Sequence, residues 1–126
     1  MKKIINTSKA PAPIGPYNQA VLSGDTLYIS GQIPIDPGTG ELVNGDIAKE
    51  THQSMKNLGA ILDEAGMTFE NVVKTTIFLK DMHQFKEVNT VYGAYFNEDT
   101  APARETVEVA NLPKFVNVEI SMIAIK

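Results

Sequence analysis

The stretch Ala101–Ser121, APARETVEVANLPKFVNVEIS, sets one arginine and one glutamate where side-chain chemistry is expected. Arg104 follows Ala101, Pro102 and Ala103, small residues that leave its approach open. A guanidinium at a strand start can clamp a carboxylate through two parallel N–H donors. The plainer alternative pairs it with Glu105 or Glu108. Glu119 interrupts an otherwise apolar final strand, and a carboxylate there must be solvated, paired or functional. As a general base it has to reach a water or a substrate proton; as a structural group it would bridge a lysine on the next strand. The two charges are also placed to meet each other near the end of a sheet. Tyr17, after Ile14-Gly15-Pro16, offers a hydroxyl or an aromatic wall, and Ser30-Gly31 offers a hydroxyl and a backbone that a ligand can approach closely. Asn89 borders the apolar stripe of a helical segment, where most asparagines bind backbone. No GxSxG elbow surrounds Ser30 and no His–Asp pair is indicated nearby, which argues against a nucleophilic serine. The GTG at Gly38–Gly40 is too short for a phosphate loop.

The bulk numbers narrow the classes. A chain of 126 residues suits one domain, residues 1–126, with one core. With 43% hydrophobic and 21% charged residues the composition is that of an ordinary globular protein. A net charge of −4 argues against a nucleic-acid footprint, which shows as a basic patch. The absence of cysteine removes disulfides, thiolate metal sites and a Cys nucleophile. His52 and His83 stand far apart and in no HxxxH or HExxH setting, so no zinc site is expected. No apolar run approaches the roughly 20 residues of a membrane span. The opening MKKIINTSKAPAPIG has no apolar h-region, so the expectation is a soluble cytoplasmic protein without a signal peptide.

The elements that must position these residues can be read in order. KKIINT from Lys2 reads as a strand, and the prolines at 11, 13 and 16 make Ser8–Pro16 a loop. Tyr17–Leu22 and Thr26–Ser30 read as a hairpin closed by Ser23-Gly24-Asp25, with Gly31 ending its second strand. Asp46 is the expected N-cap of a helix whose stripe is Ile47, Thr51, Met55, Leu58, Ile61, Leu62 and Ala65, with Gly66 as its C-terminal cap. Thr68–Asn71 reads as a turn or a single helical turn. VVKTTIFLK from Val72 is β-branched and strand-forming, with Val73, Ile77 and Leu79 on one face and Val72 and Phe78 on the other. Asp81 or His83 opens a second helix with the stripe Phe85, Val88, Tyr92, Tyr95 and Phe96. In TVEV, Val107 and Val109 share a side before Asn111, Leu112 and Pro113 break the ladder. In the last strand Val116, Val118, Ile120 and Met122 take one face and Asn117, Glu119 and Ser121 the other. The prediction is an α+β fold, β-ββ-α-β-α-ββ, with a mixed sheet of about six strands.

Two helices cover only one face of such a sheet. Yet Ile123 and Ile125 lie opposite Val118 and Ile120, and a sheet apolar on both faces needs a second cover. With no further helix in the chain, another subunit is the expected cover.

Beyond the patterns, the chain resembles the RidA family of reactive enamine/imine deaminases, also called the YjgF family. The segments that carry the resemblance are APAPIGPYNQA from Ala10, YISGQIPIDPGTGEL from Tyr28, VVKTTIFLKDM from Val72, FKEVNTVYGAYF from Phe85 and PARETVEVANLPKFVNVEI from Pro102. They span nearly the whole chain in order, and the last is the most specific: PAR, then VxVAxLP, then VEI.

The resemblance implies a chorismate-mutase-like fold, a homotrimer with clefts between subunits, and no cofactor or metal. It implies hydrolysis of 2-aminoacrylate-type enamines and 2-imino acids to 2-keto acids and ammonia, the reactive species being released by pyridoxal-phosphate dehydratases. Carried over by position, Arg104 binds the substrate carboxylate and Glu119 positions or activates the attacking water. Tyr17, Ser30, Gly31 and Asn89 line the cleft, and Thr106 contributes backbone near the carboxylate where many members have Cys. Glu105 departs from the small residue that often follows the arginine. Strand alternation turns it away from Arg104, toward solvent or a subunit contact. Two other function classes stay open at this point: a non-catalytic module that binds small carboxylates, and a ribonuclease, which the acidic charge and the lack of a basic aromatic stripe disfavour.

Overall fold

A computed structural model describes residues 1–126. The strands are β1 (Lys2–Ile5), β2 (Ala20–Ser23), β3 (Thr26–Gln32), β4 (Val72–Leu79), β5 (Ala103–Glu108) and β6 (Val118–Ile125); the helices are α1 (Ile47–Glu64) and α2 (Phe85–Gly93). They follow the expected chain order and make one six-stranded sheet, β1-β2-β3-β6-β4-β5. Every neighbouring pair is antiparallel except β4–β5. Parallel neighbours need a crossover, and α2 supplies it. β3 and β4 also run in the same direction, since each is antiparallel to β6 between them, and α1 is their crossover. Both helices therefore return across the sheet, and their buried residues join those of the strands in one core.

The local reasons are those of the sequence. Asp46 Oδ1 accepts from the N–H groups of Ala48 and Lys49 at 2.9 and 3.3 Å, capping the first turn of α1. At the far end Gly66 has φ 73°, and Gly66 N–H and Met67 N–H reach the carbonyls of Asp63 and Leu62, a Schellman closure. The whole predicted stripe of α1 is buried. β6 is central, paired on both edges, so Val118, Ile120, Met122 and Ala124 meet the helices with no more than 2% exposure.

Four local expectations are corrected. Val72, not Val73, enters the core: they are 4% and 44% exposed. A β-bulge between Val72 and Lys74 adds one residue against β6 and reverses the alternation, which no inspection of β4 alone reveals. The last strand begins at Val118, so Val116 packs instead with Ile33, Ile35 and Leu112, and Asn117 reaches the buried Glu50 of α1, its Nδ2 3.1 Å from both carboxylate oxygens. β2 starts at Ala20 rather than Tyr17, and β3 runs through Gly31 to Gln32. Val107 is exposed on the edge strand β5, while Val109 lies past its end beside the smaller cluster. The outer face of the sheet nonetheless remains apolar and uncovered, with Tyr28 and Ile125 exposed.

Candidate functional site

β5 is one of the two edge strands, and Arg104 is its second residue, in register with Thr75 of β4. Thr75 is fully buried, so Arg104 projects on the helix side of the sheet. There α2 receives it. Arg104 Nη1 donates to Asn89 Oδ1 at 2.7 Å, and the guanidinium carbon stands 5.0 Å from the centroid of the Tyr92 ring and 5.6 Å from that of Phe85. These are cation–π distances. Tyr92 is itself anchored, its hydroxyl donating to Thr75 Oγ1 at 3.0 Å. Burial pushes the Tyr92 phenol above its ordinary pKa, against the Thr75 hydrogen bond and the Arg104 charge, so it stays neutral beside the cation. A long side chain at a sheet edge is thereby held in one orientation. Neither Glu105 nor Glu108 pairs with it. Glu105 points the other way, bonded to Lys74 and Thr76, which lowers its pKa, and Glu108 Oε1 accepts from Met82 N–H at 2.8 Å.

Glu119 lies on the opposite face. Its neighbours Val118 and Ile120 are buried toward the helices, and it pairs with Phe78 across β4. Neither ion pair of the chain, Lys74–Glu105 or Asp81–His83, involves it, so the lysine bridge considered from sequence is absent. Desolvation raises its carboxyl pKa above the ordinary 4.5. Beside it, the β3–β6 ladder slips between Ile29 and Gln32, a bulge made by Ser30 and Gly31. A Cβ on Gly31 would stand 2.7 Å from Glu119 Cδ, so the carboxylate rests directly on this glycine's backbone.

A recess of about 360 Å³ opens here, lined by Ile14, Tyr17, Ser30, Gly31, Ile33, Pro113 and Glu119. Tyr17 OH accepts from Ile14 N–H at 3.3 Å, and Ser30 Oγ donates to the Asn18 carbonyl at 2.7 Å, so both hydroxyls are partly committed to the chain. The loop that carries Ile14 and Tyr17 is tied down by Gln19, 2% exposed: its Oε1 accepts from Thr7 N–H at 2.7 Å and its Nε2 reaches the carbonyls of Thr7, Ala10 and Pro11. A second recess, about 350 Å³, lies on the helix side beside Arg104, Asn89, Tyr92, Gly93, Phe96, Glu98 and Ala101. Thr106 shares that side, in register with Ile77, and its hydroxyl is buried without a partner. A shallower groove of about 420 Å³ between the helices is lined by Lys49, His52, Lys56 and Val91 and holds none of the expected residues. No three His, Cys, Asp or Glu side chains converge as a metal-holding group.

The sequence-predicted residues thus fall into two half-sites: Tyr17, Ser30, Gly31 and Glu119 on one face, and Arg104, Asn89 and Thr106 on the other. A direct Arg104–Glu119 pair within one chain is excluded, because the sheet lies between them. Sequence reasoning missed Phe85 and Tyr92 as Arg104 partners, although Phe85, Asn89 and Tyr92 are spaced i, i+4, i+7 on one helical face. It also missed Gln19, whose only signal was a proline-rich loop with backbone groups in need of partners.

Comparison with known proteins follows the same lines. A family model described as Endoribonuclease L-PSP matches residues 7–126. A RutC family protein of Synechocystis sp. is 55% identical over 124 residues, covering 98% of this chain and 95% of that protein. A mouse protein named 2-iminobutanoate/2-iminopropanoate deaminase is 51% identical over 126 residues, covering 100% of this chain and 93% of its own. The crystal structure of a member of the conserved Rid protein family from Yersinia pestis matches with a TM-score of 0.97 at 49% identity, over 100% of both chains. With residues 7–126 matched by the family model and relatives about half identical over nearly its full length, the chain belongs to the Rid family, the family of the Endoribonuclease L-PSP model.

Proposed function

We propose that the protein hydrolyses 2-aminoacrylate-type enamines and 2-imino acids to 2-keto acids and ammonia, in a cleft where Arg104 of one copy meets Glu119 of the next. The observation that carries this reading is the division of the site: a guanidinium held rigid on one face of the sheet, and a desolvated carboxylate without an ion pair on the other. Each half needs a complement that its own chain does not supply. The apolar outer face supports assembly of like chains, and a closed ring of three would repeat the same cleft three times. Mouse and human relatives 51% and 50% identical over the whole of this chain carry the deaminase name.

In such a cleft Arg104 holds the substrate carboxylate and presents the adjacent carbon in one orientation. An enamine is first protonated at its terminal carbon, giving the iminium. Water oriented by Glu119 adds its oxygen to the iminium carbon and loses a proton. The carbinolamine then expels ammonia as the carbonyl forms, so one water yields one 2-keto acid and one ammonia. A carboxyl with a raised pKa suits this proton relay, and acid–base help on the order of 10²–10⁴-fold is enough for a reaction that already proceeds in water. Pyridoxal-phosphate dehydratases are the class of enzyme that supplies such substrates. The ribonuclease reading draws no support from the recesses: His52 is bonded to Tyr95 at 2.6 Å, His83 pairs with Asp81, and neither lines the Arg104 or the Glu119 recess.

Complementation tests the proposal. Arg104→Ala and Glu119→Ala should each lose most acceleration of keto-acid release in an assay coupled to a threonine dehydratase. Refolding the two together should restore part of it, because mixed assemblies contain clefts with both groups intact. Mixed assemblies that form, as seen by native mass spectrometry, yet stay inactive would refute the shared cleft. Wild-type protein that binds small carboxylates without hastening release would favour the binding module.

A further inference from the structure

The recess beside Arg104 holds a second full charge, Glu98. Asn97 caps the short turn Glu98–Thr100, its Oδ1 accepting from Asp99 N–H at 3.0 Å, and this turn brings Glu98 to the rim of the recess. Arg104 and Glu98 line one cavity of about 350 Å³ and form no ion pair with each other, since the only two ion pairs are Lys74–Glu105 and Asp81–His83. Arg104 spends one N–H on Asn89 and keeps the others free. Tyr92 and Phe96 give the same recess aromatic walls, and Gly93 and Ala101 add little side-chain bulk to it.

We infer that this recess recognises a zwitterion, with Glu98 as a specificity-determining residue that attracts the cationic nitrogen of an α-imino or α-amino acid whose carboxylate lies on Arg104. The inference rests on the carboxylate-clamp reading of Arg104. Two opposite charges that line one small cavity without pairing are complementary to a ligand that itself carries a carboxylate and a cationic nitrogen. The consequence is a sorting of reaction species. The iminium carries both charges and is held at both ends. The 2-keto acid product keeps the carboxylate and loses the nitrogen, so Glu98 faces it with like charge and favours its departure. The neutral enamine gains the second contact only after protonation at carbon, which draws the bound population toward the tautomer that water attacks.

Binding calorimetry on the assembled protein separates the contributions, with L-serine as a stable zwitterion and 2-ketobutyrate as a carboxylate alone. Glu98→Gln keeps the shape of an exposed side chain and should fold normally. It should weaken L-serine by roughly two- to fivefold, the scale of an exposed charge pair, and leave 2-ketobutyrate unchanged or slightly tighter. Arg104→Ala should abolish binding of both. Equal shifts for the two ligands in Glu98→Gln, no shift for either, or no L-serine binding to the wild-type protein would overturn the role of Glu98. Retention of both ligands by Arg104→Ala would overturn the clamp instead, so the two failures are distinct.

Discussion

The Glu119 carboxylate lies against the backbone of Gly31, so that a methyl group on residue 31 would come within 2.7 Å of Cδ and 2.9 Å of Cγ and Oε2. The contact is made at a bulge, where β3 departs from strict pairing with β6. Gly31 therefore shapes the recess beside Glu119 by having no side chain.

Gly31→Ala should displace the carboxylate while leaving the core intact, since the bulge faces away from the helices. A shift of about 1 Å at a catalytic group costs roughly 10²-fold. The expected result is a loss of that order in kcat with an unchanged circular dichroism spectrum. Wild-type kcat would show that Glu119 has no fixed position to lose.

The pH dependence follows from desolvation of Glu119. Its carboxyl binds a proton more tightly in the folded chain than in the unfolded one, so stability falls as pH rises from the ordinary Glu value of 4.5 through the raised folded value. Above that window the ionised carboxylate is a net cost to folding. Glu119→Gln should accordingly raise Tm at neutral pH, with the gain shrinking as pH falls through that window and gone below about 4.5. In the wild type the acid limb of kcat/KM should lie above the ordinary Glu range, and in Glu119→Gln that limb should vanish with the activity. An acid limb at the ordinary value would assign the titration to another group.

Asn89 holds Arg104, and its amide oxygen is already committed at 2.7 Å. Asn89→Ala should raise KM for 2-iminobutanoate generated in situ by about tenfold, the scale of one lost hydrogen bond to a charged group, and change kcat less. Asn89→Asp should be worse, because a fixed carboxylate competes with the substrate for the same guanidinium. Equal KM values for the two variants would show that Asn89 acts only through packing.

Much of the fold was legible because its signals are local. The stripe of α1 repeats with the helical period, Asp46 and Gly66 mark its ends, and the alternation Val118, Ile120, Met122 marks β6. Errors arose where a strand depends on its neighbour. Val72 and Val73 exchange faces at a bulge that exists only in the pairing of β4 with β6, and Asn117 turns to Glu50 because the strand starts two residues later. Arg104 and Glu119 stood out as oddities of type and setting, and motif resemblance supplied their expected roles.

What the sequence by itself determined is the order of elements, the helical core stripe and the identity of the two charged groups, since each rests on periodicity or on a residue out of place among its neighbours. Only the tertiary structure decided that Arg104 and Glu119 look away from each other, that α2 grips one through Asn89, Phe85 and Tyr92, and that Gly31 makes room for the other. The face a strand residue takes depends on register, on bulges and on which helix crosses above it. Those are relations between segments far apart in the chain, and no single segment carries them.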